Sequence, residues 1–437
     1  MRLDASPESI ISQRVQEETH MRMFKLFAVV AVLALIGQVF AAAPVSAQDK
    51  VIKIASQSPL SGGQSLLGTA IRNGAELAIM QLGKQVEELG FKLEFVPFDD
   101  QATPDVGVAN AQNIVNDAAI LAVIGHLNSG VALPSSEIYN RENLVMISPA
   151  NTNVKITDRG YPTVNRVCGR DDAQGAAGAD YAVKELKIKT AFVLHDKTAY
   201  GEGVATFFAQ ALEEAGVEVV GFEGTTETAN FDAVITPILA QQPDLVYFGG
   251  IYNQAAVFFR QAREKGVKSK FMGPDGMDSS DLVKIGGEAV VGMIYTTTAA
   301  PASLYPAAAQ FVEDYKKQFG ASPEAYAAEA YAATQIVINA LVKAIKENKG
   351  EMPTRAQVAA AVRATQDFET VIGKISFDGN GDPKVATYYI LEVASADPEK
   401  WGENPLITSV QAPSPLTAKE MMDKEKMDEE KKEKKDK

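Results

Sequence analysis

Two segments decide the fold. Ile120-Leu-Ala-Val-Ile-Gly125 runs into His126-Leu-Asn-Ser129-Gly130, and Leu144-Val-Met-Ile-Ser148 runs into Pro149-Ala-Asn-Thr152. Each begins as a short, unbroken apolar run, the pattern of a strand covered on both faces. Each then stops in a loop of small and polar residues, and a helical pattern follows at 130–142. Ligands of open α/β sheets bind beyond the carboxyl ends of such strands. Ser129 stands where it would cap the following helix, and a hydroxyl beside helix-end amides favours an anion. The two loops suggest a carboxylate site, although capping alone would also explain the serine.

The same rhythm extends outward in both directions. Further strands are expected at 51–57, 91–98, 190–195, 217–222, 245–249, 271–273 and 290–297, alternating with helices near 66–88, 104–117, 172–186, 200–215, 231–241, 253–265 and 279–286. Such alternation predicts an α/β fold around mainly parallel sheets. Residues 304–346 read as two helices separated by Gly320-Ala-Ser-Pro323, and a third follows near 354–365. Strands at 371–377 and 386–393 then flank Asp378-Gly-Asn-Gly-Asp382 and read as a hairpin. This much pattern exceeds one sheet of usual size, so two lobes are expected.

The ends read differently. Arg22 and Lys25 precede the apolar run 26–36, and Val45-Ser-Ala47 is a small-residue cleavage site, so 21–47 reads as a signal peptide. Residues 1–47 form the leader, and Met1, Met21 and Met23 are all candidate starts. Residues 406–437 read as a linker and a charged, disordered tail rich in Lys and Glu. Leader and tail are each balanced in charge, so the net charge of −14 belongs to the part between them. That acidity argues against a nucleic-acid partner. With one cysteine (Cys168) and three histidines, a disulfide within the chain, a cysteine zinc site and a histidine-rich metal site fall away.

Catalytic motifs are missing. There is no phosphate-binding GxxxxGK[ST], no GxGxxG after the first strand, no GxSxG and no HExxH. Asp378, Asn380 and Asp382 imitate the start of a calcium loop, but Pro383 replaces its glycine and Tyr389 its bidentate glutamate.

Between Val51 and Val393 the chain resembles the periplasmic branched-chain amino-acid-binding proteins, the solute receptors of ABC importers. The resemblance is carried, in order, by Ser61-Gly62, Phe98-Asp-Asp100, Ile124-Gly-His126, Ile147-Ser-Pro-Ala150, His195-Asp-Lys197, Tyr200-Gly-Glu-Gly203, Tyr247-Phe-Gly-Gly250 and Phe271-Met-Gly-Pro274. It implies a type I periplasmic-binding fold, two Rossmann-like lobes joined by three crossovers. By that resemblance Ser129 and Thr152 hold the ligand α-carboxylate, and Thr152 with the carbonyl of Ala150 receives the ammonium. Asp275 stands where the family has the acid that neutralises the ammonium. Tyr200 and Tyr326 match aromatic contributors from opposite lobes, and Leu67 lies where an aromatic wall residue is often found. Ile251 departs from a frequent aromatic. Asn128, with Ala102, stands where some relatives have a disulfide pair, and Asn128 and Asn151 add polarity beside the pocket. Amides, polar amino acids and aromatic acids therefore remain open as ligands.

The expectations are as follows. Lobe one spans 48–168 and 300–370; lobe two spans 169–299 and 371–405. The protein is an exported, periplasmic, monomeric receptor without cofactor, metal or catalysis. It captures an amino acid, closes by a hinge motion and delivers the ligand to an ABC permease. A secreted α/β enzyme is the rival of a different class.

Overall fold

The computed structural model describes Met21 and residues 50–435. The expected signal peptide at 21–47 lies, Met21 apart, outside the described residues, as does the end of the tail. Among the described residues no helix is long and apolar enough to cross a membrane.

Two sheets organise the chain. The first has five strands: β1 (Val51–Ser58), β2 (Lys92–Asp99), β3 (Ile120–Gly125), β4 (Val145–Ser148) and β5 (Val164–Arg166), in the order β2-β1-β3-β4-β5. All its pairings are parallel. β3 is buried along its whole length, which explains its unbroken run of apolar residues. The second sheet contains β6 (Thr190–His195), β7 (Glu218–Gly224), β8 (Leu245–Gly249), β9 (Lys270–Gly273), β10 (Ile294–Thr297), β13 (Val385–Glu392) and β14 (Leu406–Pro413). Its order is β14-β13-β10-β9-β8-β6-β7, and β13 and β14 run antiparallel to their neighbours. A separate ribbon pairs β11 (Phe368–Thr370) with β12 (Gly373–Ile375).

The chain passes between the sheets three times: after β5, after β10 and after β12. Between the second and third passages, helices Ala309–Phe319, Ala327–Glu347 and Arg355–Arg363 return to the first sheet. The long one packs on helix Ser65–Leu82 through Leu77 and the small side chains of Ala70, Ala78, Ala327, Ala328 and Ala332, which let two backbones approach.

Four expectations need correction. The segment 371–377 does not form a hairpin with 386–393. β12 turns back on β11, and across Asp378–Asp382 only Phe377 and Pro383 bridge. The cause is local. Asp378 Oδ1 accepts from the backbone N–H of Asn380, Gly381 and Asp382, and the Asp382 side chain is drawn inward to two arginines. Val371 also packs with the first-sheet helices, so the third passage follows Ile375 rather than residue 370. Residues 406–413 are not linker but strand β14, an exposed edge paired with β13. Residues Pro415–Lys435 are helical rather than disordered. The Ser414 hydroxyl starts that helix by accepting from Thr417 N–H (3.1 Å) while donating to Asp378 Oδ2 (2.7 Å).

The first and third passages are tied by a buried knot of charge. Arg166, fully buried, donates through Nε to Asp382 Oδ1 (2.6 Å), through Nη1 to the carbonyls of Asn151 and Asn153, and through Nη2 to Thr157 Oγ1. Arg170 reaches the other oxygen, Asp382 Oδ2, at 3.0 Å.

Candidate functional site

The carboxyl ends of β1, β3 and β4 bring their loops together through side-chain amides. Asn151 is the hinge pin of this arrangement: its Oδ1 accepts from His126 N–H (3.0 Å) and its Nδ2 donates to the Leu127 carbonyl (2.8 Å). Asn128 Nδ2 donates to Gln64 Oε1 (2.8 Å), joining the loop after β1. Asn128, not Ser129, is the N-cap of helix Ser129–Arg141, and it makes no capping bond. Ser129 is instead the first helical residue. Its hydroxyl is buried and has no partner, and the same holds for the Thr152 hydroxyl after β4. Buried hydroxyls are normally satisfied. An unsatisfied hydroxyl on the first residue of a helix whose cap makes no bond suits an anion.

Asp275 lies on the other side, in the short turn Asp275–Met277 after β9, with 1 % of its surface exposed. It does not cap the next helix; Ser279 does, its hydroxyl accepting from Asp281 N–H. Both its carboxylate oxygens are held by tyrosines. Tyr200 OH, from the start of helix Ala199–Glu214, donates to Oδ1 at 2.6 Å. Tyr326 OH donates to Oδ2 at 2.8 Å. Tyr200 OH also accepts from Gly276 N–H (2.7 Å), and a Cβ at Gly276 would sit 2.9 Å from that hydroxyl and 2.4 Å from the Gly250 carbonyl. Only glycine fits there. Tyr326 has φ +69°, the left-handed region that costs a bulky residue energy. Its hydroxyl bonds to Asp275 are what that conformation delivers. Burial pushes the Asp275 carboxyl above its usual range, and the two tyrosine hydroxyls offset part of that.

Leu67, Ala150, Tyr200, Ile251 and Tyr326 all belong to one large buried apolar cluster that draws on both sheets. The two sides also touch directly. Asn153 Nδ2 donates to the Ala199 carbonyl (2.6 Å), and Ser280 donates to Glu324 through Oγ and N–H. This is a closed arrangement. Sequence reasoning missed Asn151 as the joint between the loops. Among the described residues no group of three or more His, Cys, Asp or Glu is arranged to hold a metal ion.

Comparison with known proteins agrees with this architecture. A family model described as periplasmic binding protein matches residues 51–398. A Leu/Ile/Val-binding protein homolog of Brucella abortus is 34% identical over 351 residues, covering 80% of this chain and 92% of the relative. A leucine-, isoleucine-, valine-, threonine- and alanine-binding protein of Pseudomonas aeruginosa is 34% identical over 372 residues, covering 85% and 95%. The crystal structure of a leucine-binding protein from Thermotoga maritima is similar with a TM-score of 0.73 and 30% identity, covering 82% of this chain and 98% of that one. With a match over most of its length and two sheets between which the chain passes three times, the chain belongs to the periplasmic binding protein family.

Proposed function

We propose that this protein is the solute receptor of an ABC importer and captures an amino acid, branched-chain or closely related, between its two sheets. The observation that carries the reading is the pairing of opposites across the cleft. The unpartnered hydroxyls of Ser129 and Thr152 suit an α-carboxylate, and the buried acid Asp275 suits an ammonium. A zwitterion leaving water needs both charges hydrogen-bonded, because a buried unpaired charge costs several kcal/mol. The Ala150 carbonyl adds an acceptor for the ammonium, while Leu67, Ile251, Tyr200 and Tyr326 form the wall, with Asn128 at its polar margin. The receptor is monomeric, works in the periplasm after cleavage near Ala47, performs no catalysis, and presents its ligand-closed form to the permease.

A thermal-shift panel over the amino acids, their amides and aromatic acids tests this. Leucine, isoleucine or valine is expected to raise the melting temperature, with stabilisation of about 2.7 kcal/mol at a hundredfold excess over Kd. A panel in which only acids lacking an amine give a shift would overturn the ligand class. Ser129→Ala is expected to weaken binding about 10- to 150-fold, the loss of one hydrogen bond to a charged group at about 1.5–3 kcal/mol. Because the hydroxyl has no partner in the protein itself, the ligand-free melting temperature should not fall. Unchanged affinity by calorimetry would remove Ser129 from the site.

A further inference from the structure

We infer that Glu324 is a closure latch: from the first-sheet side its carboxylate grips Ser280 on the second-sheet side, and this grip sets how fast a bound amino acid escapes. The inference rests on the amino-acid reading above and extends it to a residue that acts without touching the ligand.

Two short segments meet here. Glu324 lies just before helix Ala327–Glu347, which packs on helix Ser65–Leu82 over the first sheet. Ser280 opens helix Ser280–Gly286, which follows β9 of the second sheet and packs on helix Tyr252–Glu264. Ser280 donates to both oxygens of Glu324, through Oγ to Oε1 and through N–H to Oε2 (3.1 Å). As the first helical residue, Ser280 has an N–H with no acceptor inside its own helix. The cap, Ser279, serves Asp281 N–H, so the acceptor for Ser280 comes from Glu324, across the sheets. Hydrogen bonds to an ionised acceptor are stronger than neutral ones.

Tyr326 grips the other end of the same segment. Its hydroxyl reaches Asp275 Oδ2 at 2.8 Å and the Asp275 carbonyl at 3.1 Å. Ala327 N–H donates to the Glu324 carbonyl (3.3 Å), closing a turn around the left-handed Tyr326. One turn on the first-sheet side thus holds both ends of 275–280. The two grips differ in kind. Tyr326 is sealed in the core, whereas Glu324 and Ser280 are only half-buried. When the sheets part, water can take over the Glu324 carboxylate and both Ser280 donors, so breaking the contact orphans no polar group. Burial pushes the Glu324 carboxyl above its usual range, the Ser280 donors offset part of that, and Asp281 adds to it. A contact made only in the closed form shifts the balance toward that form, and a ligand enclosed there leaves only after opening.

The test follows release of radiolabelled L-leucine from the full chain into excess unlabelled leucine. Calorimetric Kd values convert release into association rates, and melts without ligand run alongside. Glu324→Ala is expected to speed release about tenfold or more, leave association within about twofold of wild type, and leave the ligand-free melting temperature unchanged. Ser280→Ala, which keeps its N–H, is expected to speed release by a smaller factor, about threefold, and carries the test if Glu324→Ala does not fold. The double variant should release no faster than Glu324→Ala alone, because both changes act on one contact. Release within about twofold of wild type in the folded variants overturns the inference, and so do additive effects in the double variant. A lowered ligand-free melting temperature also overturns it, since the contact would then persist in the open form. A wild-type chain that binds no L-leucine fails the proposed function and the latch with it. Wild-type binding with unmoved release removes the latch alone.

Discussion

Asp275→Ala is expected to weaken amino-acid binding by about two orders of magnitude or more, with little change in ligand-free stability. The size follows from what remains: an ammonium drawn into the closed cleft loses its counter-charge. Truncating one partner of a buried, hydrogen-bonded charge pair costs about 2–5 kcal/mol. The small effect on folding follows from the other side of the same balance. In the ligand-free protein Asp275 is a buried acid, raised by burial, and its carboxylate oxygens accept from the hydroxyls of Tyr200 and Tyr326, with Gln174 beside them. Removing it takes away a desolvation cost together with two hydrogen bonds. Asp275→Asn separates shape from charge, since the amide keeps an acceptor for one tyrosine yet cannot neutralise an ammonium. Calorimetric titration with L-leucine giving equal affinities for wild type and both variants would show that the ammonium lies elsewhere.

Arg166→Ala is expected to be the most damaging single substitution outside the cleft, destabilising the fold by about 3–5 kcal/mol. The guanidinium is fully buried and joins the end of β5 to the third passage through Asp382, and to the ligand loop through the carbonyls of Asn151 and Asn153. Its loss leaves Asp382 to Arg170 and Thr157 alone. The effect should also appear in acid. Burial alone would raise the Asp382 carboxyl, but Arg166 and Arg170 outweigh it and hold the group below its usual range. A carboxyl lowered in the folded state adds stability above its unfolded value, near ~3.9, and that stability is lost as pH falls through the lower folded value. Wild type should therefore lose stability in that acid window, and Arg166→Ala should lose less of it. Denaturant melts at neutral pH and near pH 3 that gave equal differences between the two proteins would contradict this.

The parallel strands were legible because burial on both faces writes itself into sequence as continuous apolar runs; β3, β6 and β8 match their expected bounds to the residue. β5 was not, since Val164-Asn-Arg166 is three residues long and two of them are polar. Its place is set by Arg166 and by pairing with β4. β14 escaped for the opposite reason, as an exposed edge strand whose side chains alternate against nothing. The misread hairpin at Asp378–Asp382 shows the limit most clearly. Its Asn-Gly pair favours a tight turn, but two arginines more than two hundred residues earlier decide where Asp382 goes. In the cleft, the residues at strand ends could be nominated one by one. Whether a hydroxyl is satisfied cannot be read that way: Ser129 looked like a cap until Asn128 took the cap position.

The claim at the centre is that one cleft holds both charges of an amino acid at once. Calorimetric titration of the wild-type protein with L-leucine, with 4-methylpentanoate, which lacks the amine, and with 3-methylbutylamine, which lacks the carboxylate, tests it directly. The expected result is saturable one-to-one binding of leucine, with each half-ligand weaker by at least two orders of magnitude. Binding of either half as tightly as the whole would contradict the account.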